Sequence, residues 1–325
     1  MLRIGAEINM SIEITITQKG FFKKVLPFEV IVGSELKYGS FDGIRLEDGT
    51  IGADEFIAYN PNHIARGFSV TWKDGEKQQV YLRLLIPSHD AEIDDFYNTI
   101  TRIATYWKNC KINQDGEPIT LNDINYQRSN MKAFSLRTLN DICNETKVAT
   151  EDEDGKVLFV TDDTKDNGEL ISPYEGEITL YGARWPIVLG EKEKTMLADS
   201  ADSTEFKKFL HEKQAIDAYY AKALFYEHND TKELCARYVL TEDTVSIFPR
   251  NPTVPWWMVD EQTGEPIKID NWEIGLCSIT KNDLIGEIPY DNFIAKLQNV
   301  EYYDHGHVLI QGVSLAEMKE LLIVG

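Results

Sequence analysis

Cations are scarce in this chain: 33 Lys and Arg stand against 54 Asp and Glu over 325 residues, a formal net charge of −21. Such a surface repels nucleic acid and anionic lipid, so neither is an expected partner. No basic-aromatic stripe occurs that would stack single-stranded bases. Neither G-x-G-x-x-G nor G-x-x-x-x-G-K-[ST] is present, which argues against nucleotide binding through a glycine loop. The nucleophile elbow G-x-S-x-G is missing as well. Cysteine is sparse: Cys110, Cys143, Cys235 and Cys277 lie 33, 92 and 42 positions apart, with no C-x-x-C pair. Scattered cysteines of this kind read as small buried hydrophobes of a reducing cytoplasm, although an even count leaves one or two disulfides open. Long apolar runs are missing too. Stretches such as Leu82–Ile86 are far too short to span a bilayer, so no membrane association is expected. Met1–Asn9 holds one basic side chain and no apolar centre, unlike a signal peptide, and Met10 can serve as a start.

What is present is enough for real cores, with 42% hydrophobic and 11% aromatic residues. The length suits two domains. Charge is unevenly shared: residues 1–150 carry 20 acidic and 17 basic side chains, and residues 151–325 carry 34 and 16. The acidic run Glu151–Glu169 reads as a solvated linker or loop. These features predict an N-terminal α+β domain over 10–150 and an acidic C-terminal α+β domain over 151–325.

Periodicity supplies the elements. Ser11–Thr17 alternates as a strand, and Phe28–Val32 is a second strand candidate. Gly67–Lys73 and Gln78–Ile86 flank Asp74-Gly75, a dipeptide favoured in tight hairpin turns. Ile93, Phe96, Tyr97, Ile100, Ile103 and Trp107 recur at helical spacing behind an acidic first turn that suits the helix dipole. A shorter helix is expected over Ala133–Cys143. In the second half, strands are expected at Ile178–Tyr181 and Trp185–Leu189. Asp202 and Glu205 predict a long helix with a stripe from Phe206 to Leu224. A hairpin is expected from Cys235–Leu240 to Thr244–Phe248. A strand around Trp272–Ile279, a helix near Asn292–Leu297 and a hairpin from Val300 to Ile310 follow. Ser314 and Glu317 predict a capping box for a last helix. Strands followed by helices imply antiparallel sheets with packed amphipathic helices. No residue-level repeat relates the halves.

The strings Lys37–Gly43 (KYGSFDG) and Phe56–Phe68 (FIAYNPNHIARGF) resemble a family of uncharacterised bacterial proteins, domain-of-unknown-function family 4299. The resemblance runs over nearly the whole chain from Met10. It implies no catalytic or binding residue that maps onto a position here.

Several short motifs suggest sites, and most have a plainer explanation. His211-Glu212-Lys213-Gln214-Ala215 lacks the second histidine of the H-E-x-x-H zinc motif and reads as a charged helix face. Asp162-x-Thr164-x-Asp166 begins like a calcium loop, but Asn167 and Pro173 replace its glycine and glutamate. Asp304, His305 and His307 would offer two imidazoles and a carboxylate to zinc or iron, although Asp and Gly here equally suit a polar turn. Pro249–Met258 holds three prolines beside Arg250, Trp256 and Trp257, the residue types of interface anchors. His63 and Arg66 follow Asn60-Pro61 in a turn and could orient a ligand, but no nucleophile is paired with them. The expectation is a cytoplasmic, non-enzymatic binding protein that needs no cofactor and whose acidic half meets a basic protein or peptide. The alternative is a metal-dependent hydrolase using the His305-Gly306-His307 turn.

Overall fold

The computed structural model describes residues 11–41, 46–145, 149–151, 157–159, 174, 176–255, 258–260, 263–297 and 300–323. The fold class is α+β, as expected. Two compact units divide at Ile216/Asp217, not near residue 150.

In the first unit an eight-stranded sheet runs in the order β3-β2-β4-β5-β6-β1-β7-β8. Its strands are β1 (Ser11–Gln18), β2 (Lys37–Phe41), β3 (Leu46–Asp48), β4 (Glu55–Tyr59), β5 (Phe68–Thr71), β6 (Gln79–Leu85), β7 (Cys110–Gln114) and β8 (Glu117–Ile119). Every neighbouring pair is antiparallel. The alternation in β1 sends Ile12, Ile14 and Ile16 to the buried face. The Asp74-Gly75 hairpin forms in register, with Phe68 opposite Leu84 and Val70 opposite Leu82. Helix α2 (Asp90–Trp107) packs its Ile93, Phe96, Ile100 and Ile103 into this core, and the Phe96 ring meets Phe68 edge-on at 5.4 Å. Each such side chain is worth about 1.5–3 kcal/mol when fully buried. The opposite face of the same strands carries Glu13, Ser69, Thr71, Tyr81 and Arg83, which are half-buried or exposed.

Phe28–Val32 is a five-residue helix, α1, and not a strand. Pro27 opens it, and Gly33 at φ +63° closes it. A short apolar run does not by itself distinguish the two states. Helix α3 (Ile124–Cys143) starts nine residues before the expected Ala133; its first turns, INYQRSN, are mostly polar and offer no stripe to read. The short strands β9 (Ala149–Glu151) and β10 (Val157–Phe159) pair antiparallel. They are followed by the hairpin of β11 (Ile178–Tyr181) and β12 (Pro186–Leu189), then by α4 (Glu191–Leu197) and α5 (Thr204–Gln214). Leu139 and Ile142 of α3 share one buried cluster with Ile178, Leu180, Leu189, Leu197, Phe206 and Leu210. That shared core places 174–210 with the first unit and moves the division to Ile216. The Asp162–Asp166 loop lies outside the described residues.

The second unit holds two four-stranded sheets, β13-β16-β20-β19 and β14-β15-β17-β18. The strands are β13 (Tyr219–Tyr220), β14 (Leu224–Glu227), β15 (Leu234–Thr241), β16 (Ser246–Pro249), β17 (Asn271–Ser278), β18 (Asp283–Pro289), β19 (Val300–Tyr302) and β20 (His307–Ile310). Tyr238, Leu240, Phe248, Leu276 and Ile310 form its core with Phe293 of α6 (Tyr290–Lys296) and Met318 of α7 (Leu315–Leu321). Ser314 caps α7 in the expected box with Glu317.

Two elements depart from the sequence expectation. The helix expected through Leu224 ends at Gln214, and Tyr219–Tyr220 and Leu224–Glu227 are strands. At the stop the Gln214 side chain is fully buried, accepting from Arg184 N at 2.8 Å and donating to the Trp185 carbonyl at 3.0 Å. In addition, β15 and β16 do not pair with each other. β15 lies parallel to β17, and β16 joins the other sheet, parallel to β13. Both sheets of this unit are therefore mixed. Among the described residues, no helix is long and apolar enough to cross a membrane, and the four cysteines are free thiols.

Candidate functional site

The segment Asn60–Gly67 links β4 to β5; Asn62 is exposed, whereas His63 turns toward α2 and Arg66 is buried. Asn60 accepts from Asn62 N at 3.1 Å and caps the single 3-10 turn Pro61–His63. His63 Nε2 lies 2.7 Å from Asp95 Oδ2 of α2. The N-cap of α2 is His89, which is fully buried. Its Nδ1 accepts from Glu92 N at 3.2 Å, leaving Nε2–H to face the His63 carbonyl at 3.3 Å. Burial, followed by the charges of His63, Lys207 and His211, pulls the imidazole down to about 3. This histidine is neutral at physiological pH.

Glu92 lies one turn further along α2. Its Oε1 accepts from the backbone amides of Arg66 at 2.8 Å and Gly67 at 2.5 Å, and its buried Oε2 has no hydrogen-bond partner. Burial pushes this carboxyl up to about 7, against the pull of the Gly67 amide, the Ser88 hydroxyl and the Arg66 charge. Arg66 is 4% exposed. It donates from Nε to the Tyr181 carbonyl and from Nη1 to the Pro87 carbonyl, both at 3.0 Å. Burial lowers it to about 10, which leaves it cationic. His63 and Arg66 thus come together, as ties among the β4–β5 loop, the start of α2 and the end of β11.

Beside this knot lies a cavity of about 710 Å³ on the sheet face away from α2. Its walls include Arg66, Ser69, Thr71, Arg83, Glu55 and Tyr181. Sequence reasoning missed Glu92, His89 and Arg83. Glu92 read as one more first-turn carboxylate, since nothing in its spacing says that residues 63–67 fold over it.

In the second unit, Asp304, His305 and His307 occupy the β19–β20 turn. Asp304 is fully buried, and its Oδ1 meets Gly306 N at 2.9 Å and His307 Nδ1 at 2.8 Å. His307 Nε2 lies 2.9 Å from the Tyr220 hydroxyl. Both ring nitrogens are therefore engaged, and a metal at Nε2 would have to displace Tyr220. Among the described residues, no three His, Cys, Asp or Glu side chains are grouped to hold a metal ion. Exposed Arg250 donates its amide to the Gly306 carbonyl at 2.8 Å and rests its guanidinium 5.0 Å over the Tyr302 ring. Trp256 and Trp257 lie outside the described residues.

A family model described as a domain of unknown function (DUF4299) matches residues 11–321. No curated protein and no solved structure matches the chain.

Proposed function

Because the chain belongs to the DUF4299 family, whose description names no activity, we propose from its own surface that it is a non-enzymatic binding protein whose acidic second unit meets a basic protein or peptide. Residues 217–325 hold 18 acidic and 8 basic side chains, a net of −10. The observation that carries the reading is where some of these lie. At one end of the unit, Glu242 N donates to the Cys277 carbonyl at 2.9 Å and Asp243 N to the Val313 carbonyl at 3.0 Å. These bonds gather three turns and bring Glu242, Asp243, Asp283 and Glu317 to the same end, with Lys281 the cation of the middle turn.

The Glu242 carboxylate accepts from the Ser278 hydroxyl at 2.5 Å and from the Thr280 amide and hydroxyl, each at 2.9 Å. These bonds, Ser278 first, hold its carboxyl below the ordinary range. The Ser314 hydroxyl and amide do the same for Glu317. Both carboxylates are thereby kept ionised. In the same turns Ile279 is 66% exposed. Glu242 is itself buried and braces these turns, while Asp243, Asp283 and Glu317 are exposed beside Ile279. An apolar anchor among exposed carboxylates suits a partner that alternates lysine or arginine with apolar residues, with charge steering the encounter and apolar contact holding it.

The test is fluorescence anisotropy of the full chain with a labelled lysine-rich amphipathic peptide. Raising the salt from about 0.01 M to about 1 M shortens the screening length from about 30 Å to about 3 Å and is expected to abolish binding. The D243N/D283N variant is expected to bind weakly even at low salt, and Ile279→Ser to weaken binding at every salt concentration. Equal affinity of the charge variant and the wild type would overturn the reading.

A further inference from the structure

We propose that the cavity on the open face of the eight-stranded sheet is a binding site for a small organic anion, whose carboxylate or phosphate group is taken by Arg66 and Arg83. This site is independent of the acidic end of the second unit. Every wall residue belongs to the first unit.

Arg66 is buried deeply enough that its charge has to be satisfied from inside. Two of its nitrogens donate to backbone carbonyls, which are neutral. Nη2 donates to no described residue. Glu92, its nearest counter-charge, has spent Oε1 on two backbone amides. The guanidinium is thus held rigidly with one donor edge uncommitted, and it lines the cavity.

Arg83 reaches the same cavity from β6. Its Nε is 3.8 Å from Glu13 Oε1, too far for a hydrogen bond. That nitrogen is buried with no hydrogen-bond partner, and the rest of the guanidinium donates to no described residue. A planar fork that is only loosely ion-paired with Glu13 and hydrogen-bonded to no described residue fits a bidentate oxyanion. In the sheet register Ser69 stands directly opposite Arg83, and Ile57 directly opposite Ser69. The hydroxyls of Ser69 and Thr71 make no hydrogen bond to a described residue, so both can donate to a ligand oxygen.

The lining also contains Asp54 and Glu55. Glu55 pairs with Thr71, one same-face step from the Ile57–Ser69–Arg83 row, a displacement of about 7 Å along the strand. Both carboxylates are exposed. They repel an anion at their own end and so direct the charged group of a ligand toward the arginines. The Arg66 guanidinium is already held by its two carbonyl acceptors and needs no ordering on binding, which favours affinity.

The full chain is titrated calorimetrically with inorganic phosphate and, separately, with malonate. Saturable binding of either anion to the wild type is expected. Preference for phosphate would identify a phosphate ester as the ligand, and preference for malonate a carboxylate. Arg83→Gln gives up only a partly exposed ion pair with Glu13, of the kind that adds little stability, so its thermal midpoint is expected to stay close to wild type while anion affinity falls at least about tenfold. Ser69→Ala is expected to weaken the same anion by a smaller factor and serves as the second variant. No heat with either anion, or undiminished binding by Arg83→Gln, would overturn the proposal.

Discussion

Replacing Glu92 by alanine is expected to cost on the order of 3–5 kcal/mol, the scale for breaking one partner out of a buried charged pair. The truncation leaves the amides of Arg66 and Gly67 unpaired in the interior and removes the nearest anion from the Arg66 guanidinium. Glu92→Gln behaves differently because a side-chain carbonyl still accepts both amides. Its effect depends on pH, and the sign follows from the protonation of each state. The native carboxyl titrates near 7 against an ordinary 4.5, so between those values the folded chain holds a proton that the unfolded chain has lost. Wild-type stability from this group is full below 4.5 and declines as pH rises through 7, by on the order of 3 kcal/mol.

His89 works in the opposite direction. Its native value near 3 lies below the ordinary 6.5, so its contribution is present above 6.5 and is lost as pH falls toward 3. Between about 4.5 and 6.5 the two slopes oppose each other and largely cancel. Glu92→Gln removes one of them. Urea unfolding of the full chain across this range is expected to show the variant gaining on wild type as pH rises from 4.5 to 7, by on the order of 3 kcal/mol. Parallel profiles for the two proteins would show that the carboxyl is not shifted.

Gly67→Ala is the second large effect. Gly67 has φ +66°, and a Cβ there would lie 2.6 Å from Ile57 Cγ2 and 2.9 Å from the Ala58 carbonyl oxygen. The left-handed backbone alone costs an L-residue about 1–2 kcal/mol. The clash adds about 1–3 kcal/mol, since the β4 backbone cannot yield without disturbing its pairing. Gly75→Ala separates the two contributions. Its φ of +80° is similar, yet nothing lies within 4 Å of the added carbon. Gly75→Ala is expected to pay only the first cost, and the difference between the variants in denaturant midpoint measures the second. Equal losses would mean that the β4–β5 loop relaxes freely.

The parts of the fold that were legible in the sequence are those where a period repeats without interruption. Ile12, Ile14 and Ile16 declare their strand, and the stripe from Ile93 to Trp107 declares α2. The Asp74-Gly75 turn and the Ser314–Glu317 box are local devices whose chemistry needs no tertiary knowledge. Failures came where a distant contact decides. The apolar series from Phe206 to Leu224 keeps helical spacing past Gln214, yet the chain there is recruited as strands. Thr241–Thr244 has hairpin composition, but its flanking strands join different sheets because β17 competes for β15. The candidate site was half visible: His63 and Arg66 stood out, whereas Glu92 and Arg83 draw their character from neighbours remote in sequence.

Strand β1 sits between β6 and β7 and, among the described residues, pairs with no other strand. During synthesis it therefore leaves the ribosome well before either neighbour exists. Until Gln79–Leu85 has emerged, its row of isoleucines has no partner strand. Completion of the first unit's sheet then becomes an insertion event, with the earliest strand taken up into the middle by the later ones.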